Sequence, residues 1–340
     1  MTICYFGIYN PDYSRNRILI KGLRENGVEI IECQSDLGGV RKYFDLIKKH
    51  RAIKNKYDLM IVGFPGYQAM ILARILTRKK IIFDAFASFY DSMVLDRKLV
   101  EKYSFSALYF WLLDFLACFL ADKILLDTNE QINYFVETFK IKKEKFIRVF
   151  VGSDDKLLKP EKETIDKNYF LVVFFGSFIP LQGVDYIIKA ARILENENVR
   201  FRIIGTKIKS KYQNNDLKNI EFLDNVPYEK LSDYITRADA SLGIFGDTAK
   251  AKRVIPNKVY ESLAVGTAII TGESAAVREL LENRKNVLFC NLADGEDLAK
   301  KILELKVDSG LRNKISQNGY KLFVEKLTPK IIVREMLAMI

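Results

Sequence analysis

At 340 residues the chain is long enough for two domains with separate cores, and 49% hydrophobic with 29% charged residues is a globular composition rather than a disordered or fibrous one. Lys and Arg outnumber Asp and Glu by 54 to 43; the net charge of +11 points to an anionic partner such as a phosphate-bearing substrate or an acidic bilayer face. Four scattered cysteines without CxxC spacing and a single histidine argue against a disulfide framework and a zinc centre, and fit a reduced, cytoplasmic setting.

MTICYFGIYN lacks a basic n-region and soon meets glycine and proline, so no secretory leader is expected. TICYFGI, VEIIECQ, DLMIVGF, KIIFDAF, KILLDT and FIRVFVG read as strands bounded by Gly, Pro, Asn or Asp. Amphipathic stretches such as RNRILIKGLREN and GYQAMILARILTRK lie between them, a pattern of parallel strands joined by right-handed crossover helices. Lysine-rich runs such as KKHRAIKNK read as solvated faces, which places His50 at the surface. SALYFWLLDFLACFLA, residues 106–121, is too short and, at Asp114, too charged for a membrane span. It reads as a buried helix on the first sheet. The alternative is an interfacial helix with Trp111 at headgroup depth and the basic DRKLVEKY beside anionic lipid.

The scheme then repeats through YFLVVFFGS, VRFRIIGT, NIEFLDN, ASLGIFG, AIITGE and NVLFC, after a polar seam at KLLKPEKETIDKN, 156–168. The expected architecture is α/β, with two doubly wound Rossmann-like domains, 1–158 and 159–326, facing a cleft. Residues 327–340, the amphipathic end of the chain, are read as crossing back to the first domain. Ligands of such sheets bind beyond the carboxyl ends of the strands.

Two stretches carry chemistry. In VVFFGSFIPLQGVDYIIKAARIL a buried strand ends at Gly176-Ser177, and a loop reaches Gly183 where a helix opens; close backbone approach and free N–H groups there favour phosphate. Neither the dinucleotide GxGxxG nor a P-loop is present. In VIPNKVYESLAVGTAIITGES, Lys258 and Glu261 share one face at the start of an apolar helix. Such a pair is usually a surface ion pair of little worth. Here the alternative is a cation for a diphosphate and a carboxylate for a vicinal diol, the two halves of a nucleotide. Between them, Val226-Pro227-Tyr228 forms a loop suited to a base edge.

With these motifs in order, the second half resembles the nucleotide-sugar-binding domain of GT-B glycosyltransferases, in particular glycosyltransferase family 4. FFGSFIPLQGVDYIIKAA matches its first strand and phosphate loop, RIIGT its second strand, NVPYEKLSDYITRADASL its base-binding loop and PNKVYESLAVGTAII its diphosphate and ribose motif. The first half resembles acceptor domains through FDAFASFYDSMVLDRK and ADKILLDTNEQINYF. The resemblance implies donor contacts from Gly176, Ser177, Gly183, Gly205, Val226, Pro227, Tyr228, Pro256, Asn257, Lys258 and Glu261.

Two departures stand out. The first of the family's two glutamates, eight positions before Glu261, is Arg253 here, and the loop FIPLQGV has Pro180 and Gln182 where the family often has Arg and Lys. Arg253 and Lys258 are therefore expected to neutralise the leaving diphosphate. Asp84, at a strand end, is a candidate to orient substrate or act as general base, or simply to cap a turn; Arg15, Asn16 and Asp91 are candidate acceptor or phosphate contacts. The adjacent aspartates of GSDDK suit a turn rather than a metal, and no essential metal or bound cofactor is expected.

The implied reaction moves a sugar from a nucleotide-diphosphate sugar to a hydroxyl of a glycan, lipid-linked glycan or glycolipid acceptor, with retention. The implied location is cytoplasmic, with peripheral contact to an anionic membrane as a further option. A sugar-nucleotide epimerase and a non-catalytic scaffold of polysaccharide assembly are the alternatives. Nucleic acid is not an expected partner, since no nucleic-acid motif or clustered basic–aromatic surface occurs.

Overall fold

Alternation of apolar strands and amphipathic helices resolves into two units, 1–151 with 329–340 and 152–328, in a computed structural model describing residues 1–160, 168–214 and 216–340. The first unit holds β1 (Thr2–Gly7), α1 (Ser14–Glu25), β2 (Glu29–Gln34), α2 (Arg41–Ile53), β3 (Leu59–Val62) and α3 (Tyr67–Leu76). It continues with β4 (Ile81–Asp84), α4 (Phe105–Leu120), β5 (Lys123–Leu126), α5 (Asn129–Phe139) and β6 (Phe146–Arg148). Its sheet is parallel throughout, in the order β2-β1-β3-β4-β5-β6.

The order reverses beside β1, so α1 covers one face of the sheet while α2 to α5 cover the other. Apolar residues on alternate positions of each strand divide between the two sides: Ile3, Tyr5, Ile61 and Ile82 pack towards α1, and Cys4, Phe6, Met60 and Phe83 towards α3 and α4.

The second unit repeats the plan with β7 (Phe170–Phe175), α6 (Val184–Ile193), β8 (Val199–Ile204), α7 (Thr206–Tyr212), β9 (Ile220–Leu223), α8 (Tyr228–Thr236) and β10 (Ala240–Leu242). Then come α9 (Asn257–Val265), β11 (Ile269–Gly272), α10 (Ala275–Arg278), β12 (Leu288–Cys290), α11 (Gly295–Val307) and α12 (Ser309–Lys326). The parallel order is β12-β11-β10-β7-β8-β9, with its switch point between β7 and β10. All six residues of β7 are buried, as expected of a central parallel strand.

The unit boundary falls at 151/152, seven residues before the sequence placed it. Residues 152–158 pack with the second unit: Ser153 Oγ lies 3.4 Å from the Tyr228 hydroxyl, and Leu158 is fully buried. Asp154 Oδ1 accepts from the backbone N–H of Lys156 (3.0 Å), a turn role. Of the seam at 156–168, residues 161–167 lie outside the described residues.

Helix α13 (Pro329–Leu337) belongs to the first unit, where Ile332, Val333 and Met336 bury against α1. Gly22 makes that contact close, since a Cβ there would run into the Pro329 carbonyl and the Val333 side chain. Gly22→Val is expected to lift α13 from α1 at a cost of about 1–3 kcal/mol, read as a lower unfolding midpoint and earlier proteolysis at the C-terminal end.

His50 is a correction. It is buried, and its Nε2 lies 2.8 Å from the Tyr57 hydroxyl. Helix α2 is basic on one face only, and His50 lies on the other with Leu46. Residues 106–121 differ too: α4 buries Ala107, Leu113, Asp114, Ala117 and Cys118 but leaves large apolar residues exposed along its opposite side. Among the described residues no helix is long and apolar enough to cross a membrane.

Candidate active site

The carboxyl ends of β7, β8, β9 and β10 gather the loops that the sequence singled out in the second unit. The chain leaves β7 at Gly176 with φ 152°, a conformation that favours glycine. A Cβ there would come within 3.1 Å of Lys258 Nζ and 3.3 Å of the Gln182 side-chain amide. Gly176, Gln182 and Lys258 thus converge from three chain segments. The loop after β7 is held in place by the loop after β10, whose Phe245 and Gly246 N–H groups donate to the carbonyls of Gln182 (3.1 Å) and Leu181 (3.2 Å). Gly183, in the left-handed region at φ 66°, turns that loop into α6 against the Phe245–Gly246 backbone.

Helix α9 begins behind Pro256 and is buried from Lys258 onward. Its position is fixed by Ser262, whose hydroxyl donates to the Lys258 carbonyl (2.7 Å) and meets the Ser241 hydroxyl of β10 at 2.7 Å. Lys258 Nζ donates to Gln182 Oε1 and lies 3.9 Å from the centre of the Phe174 ring. Burial pushes the Lys258 amine down to about 7, with Glu261 opposing the shift. Glu261, one turn on, is buried as well. The buried cation lies against a carboxamide oxygen and an aromatic face, and an incoming phosphate would compensate its burial further.

The remaining donor-side residues lie around this point. A Cβ on Gly205 would strike the Gly176 carbonyl, so the two glycines allow the ends of β7 and β8 to meet. Thr206 and Asn225 exchange reciprocal hydrogen bonds of 3.1 Å each, tying the start of α7 to the loop carrying Val226, Pro227 and Tyr228. Ser177 and Pro227 are exposed, and Arg253 and Asn257 are half-buried beside Pro256. Sequence reasoning noted Gln182 only as a departure and missed Phe174. Nothing in the local pattern links either to Lys258, 76 residues from Gln182.

The first unit buries its four candidate residues. Arg15 and Asp84 are both fully buried, with the guanidinium Nε at 3.0 and 3.1 Å from the two carboxylate oxygens and Nη2 at 3.0 Å from Oδ1. Arg15 Nη1 also donates to the Val149 carbonyl at 2.7 Å. Burial pushes the Asp84 carboxyl upward and Arg15 opposes it. Asp84 is thereby enclosed, with no open face from which to take an acceptor's proton. Asn16 is buried too; it accepts from the Tyr5 hydroxyl (3.0 Å) and donates to the carbonyls of Asn10 (3.0 Å) and Phe64 (2.6 Å). Arg15 and Asn16 therefore tie loops together rather than face a ligand. Asp91 is buried in the turn that follows β4, where its N–H donates to Ser88 Oγ at 2.9 Å.

That turn is anchored by Asp114 of α4, which accepts from Ser88 Oγ (2.5 Å), Phe89 N–H (3.1 Å) and Tyr90 N–H (3.0 Å). Burial pushes Asp114 up to about 7 despite these bonds. A raised carboxyl pKa means that the folded state binds the proton more tightly. Its contribution is complete below the unfolded value of about 3.9 and is lost as pH rises from there to about 7, about 4 kcal/mol in all. Urea unfolding of the wild type is expected to weaken across that window, and Asp114→Asn to flatten the slope.

Strand-end loops that converge on a buried cation at a helix start define a doubly wound α/β protein with its candidate site at the carboxyl edge of the second sheet. Residues 155–322, most of the second unit, match the family described as glycosyl transferases group 1. An uncharacterized glycosyltransferase of Methanocaldococcus jannaschii is 25% identical over 234 residues, 67% of this chain and 60% of that protein, so the match spans about six-tenths of its relative's length. Sucrose-phosphate synthase of Thermosynechococcus elongatus is similar in fold, with a TM-score of 0.79 at 12% identity over 100% of this chain and 98% of that one. HepE of Anabaena, solved in complex with UDP-glucose, gives 0.73 at 15% identity over 100% of both chains. The chain has the two-domain fold of the GT-B glycosyltransferases.

Proposed function

We propose that the protein is a glycosyltransferase that moves a sugar from a nucleotide-diphosphate sugar to a hydroxyl of a glycan, lipid-linked glycan or glycolipid acceptor. The observation that carries the reading is the meeting of Gly176, Gln182 and the buried Lys258 amine at the start of α9. In this reading Lys258 takes the diphosphate, aided by Arg253 and by the helix start, and Glu261 accepts from the ribose diol. Ser177, Gly183, Gly205 and the Val226–Tyr228 loop complete the donor surface. The UDP-glucose complex of HepE, a protein of the same fold, supports a donor of this class.

Catalysis would rest on orientation and on neutralising charge that develops as the nucleotide departs. With Asp84 enclosed by Arg15, proton acceptance by the leaving phosphate itself, on the face from which it departs, is the favoured course and gives retention. Basic side chains and a helix start supply the charge stabilisation that a metal supplies elsewhere, so no essential metal is assigned.

Calorimetric titration with UDP, GDP and their common sugar conjugates tests the reading. Micromolar binding of one nucleotide by the wild type, lost in Glu261→Ala, is the expected result. Failure of every nucleotide to bind the wild type would overturn it and bring the non-catalytic scaffold forward.

A further inference from the structure

Helix α4 inverts the usual arrangement of an amphipathic helix. Its buried side is made of small or polar residues, Ala107, Asp114, Ala117 and Cys118 together with Leu113, which let it lie close to α3. Its outer side carries Leu108, Leu112 and Leu116 at four-residue intervals, with Phe105 94% and Phe119 59% exposed at the two ends. The ridge is not isolated. The Tyr43 hydroxyl of α2 donates to Gln68 of α3 (2.8 Å), and Gln68 Nε2 donates to the Tyr109 hydroxyl of α4 (3.0 Å), linking the three helices across their outer surface. On that surface α2 exposes Phe44 (71%) and α3 exposes Ile75 (77%). Apolar exposure shared by three neighbouring helices marks an interaction site.

Charge identifies the occupant. Residues 36–83, which carry α2 and α3, contain eleven Lys and Arg against three Asp and Glu. Arg41, Lys48 and Arg51 share the helix face of Phe44 and are exposed. At the far end of α4, Lys145 Nζ donates to the carbonyls of Phe119 (2.7 Å) and Ala121 (2.8 Å), which sets a cation beside the last exposed ring. Ahead of α4, Arg97, Lys98 and Lys102 are exposed. Apolar side chains bordered by cations match acyl chains below phosphate headgroups. A second copy of the chain fits worse, because a two-fold contact through this face would bring the same basic border against itself.

We propose that the outer surface of α2, α3 and α4 docks on an anionic lipid bilayer, Phe105, Leu108 and Phe119 entering the interface and the basic residues of α2 meeting headgroup phosphates. This goes beyond the transfer reading and deepens its lipid-linked branch, since a docked first unit would meet acceptors at the bilayer surface.

The test is co-sedimentation of the full chain with phosphatidylcholine vesicles, with and without about 30% phosphatidylglycerol. Binding to the anionic vesicles alone is expected. It should fall about tenfold or more in Phe105→Ser/Leu108→Ser/Phe119→Ser and, separately, in Arg41→Glu/Lys48→Glu/Arg51→Glu, the second set lying on the exposed face of α2. Absence of vesicle binding by the wild type overturns the proposal, as does binding unchanged in both variants. A concentration-dependent dimer abolished by the serine variant, without vesicle binding, assigns the face to a second copy and also overturns it. Nucleotide titration of the same preparations reads the second unit separately, so loss of nucleotide binding with vesicle binding intact counts against the transfer reading alone.

Discussion

Lys258→Ala is expected to lower turnover about 10²- to 10³-fold, the usual loss when one preorganised charge is removed from a developing anion. Lys258→Arg is expected to rescue little. The amine occupies a narrow space between the Phe174 ring and the Gln182 carboxamide, which a planar guanidinium does not fit.

The same residue sets a pH dependence on donor binding. With its pKa pushed down to about 7 by burial, Lys258 is a neutral amine above that pH in the free protein and an ammonium below it. A bound diphosphate favours the ammonium. Nucleotide affinity should therefore be flat below about pH 7 and weaken as pH rises beyond it, by up to tenfold per unit, because binding must then draw in a proton. Calorimetry in two buffers of different ionisation enthalpy should show proton uptake at about pH 8.5 and little at about pH 6. Equal affinity across that range, with Lys258→Ala still active, would remove Lys258 from the diphosphate site.

Much of this architecture is legible because parallel strands covered on both faces are continuous apolar runs. FLVVFF of β7 is apolar at every position, and Gly176 marks where it must end. The grouping of Pro256, Asn257, Lys258 and Glu261 was likewise readable, since four candidate positions fall within two turns at the start of one helix. What bridges distant segments was not. Gln182 and Lys258 stand 76 residues apart, and Arg15 and Asp84 stand 69 apart. A basic residue in a loop reads as a ligand contact until its burial is known. His50 was misplaced for a related reason: its neighbours are lysines, but a helix gives consecutive residues different faces, and the one carrying His50 turns inward to the buried Tyr57 beyond the helix end. Helix α4 is apolar nearly all round, so its sequence carries no period from which an exposed side could be chosen.

Arg15→Ala is expected to destabilise the first unit by about 3–5 kcal/mol, because it leaves the Asp84 carboxylate buried without its cation. It also strips a donor from the Val149 carbonyl, where β6 gives way to the next loop. The paired change Arg15→Met/Asp84→Leu removes both charges and is expected to recover most of that loss, as apolar replacements of buried ion pairs commonly do. Urea unfolding of Arg15→Met, Asp84→Leu and the double variant forms a cycle that isolates the coupling. Turnover separates this structural role from the catalytic one. A general base replaced by its amide would cost about 10²- to 10⁴-fold in rate while the fold stayed intact. Asp84→Asn is expected to do the reverse, lowering the unfolding midpoint while the rate per folded molecule stays within about threefold of wild type, well inside the loss a missing base would cause. A collapse of rate at unchanged stability would return Asp84 to the reaction and require the Arg15 pair to open when substrate binds.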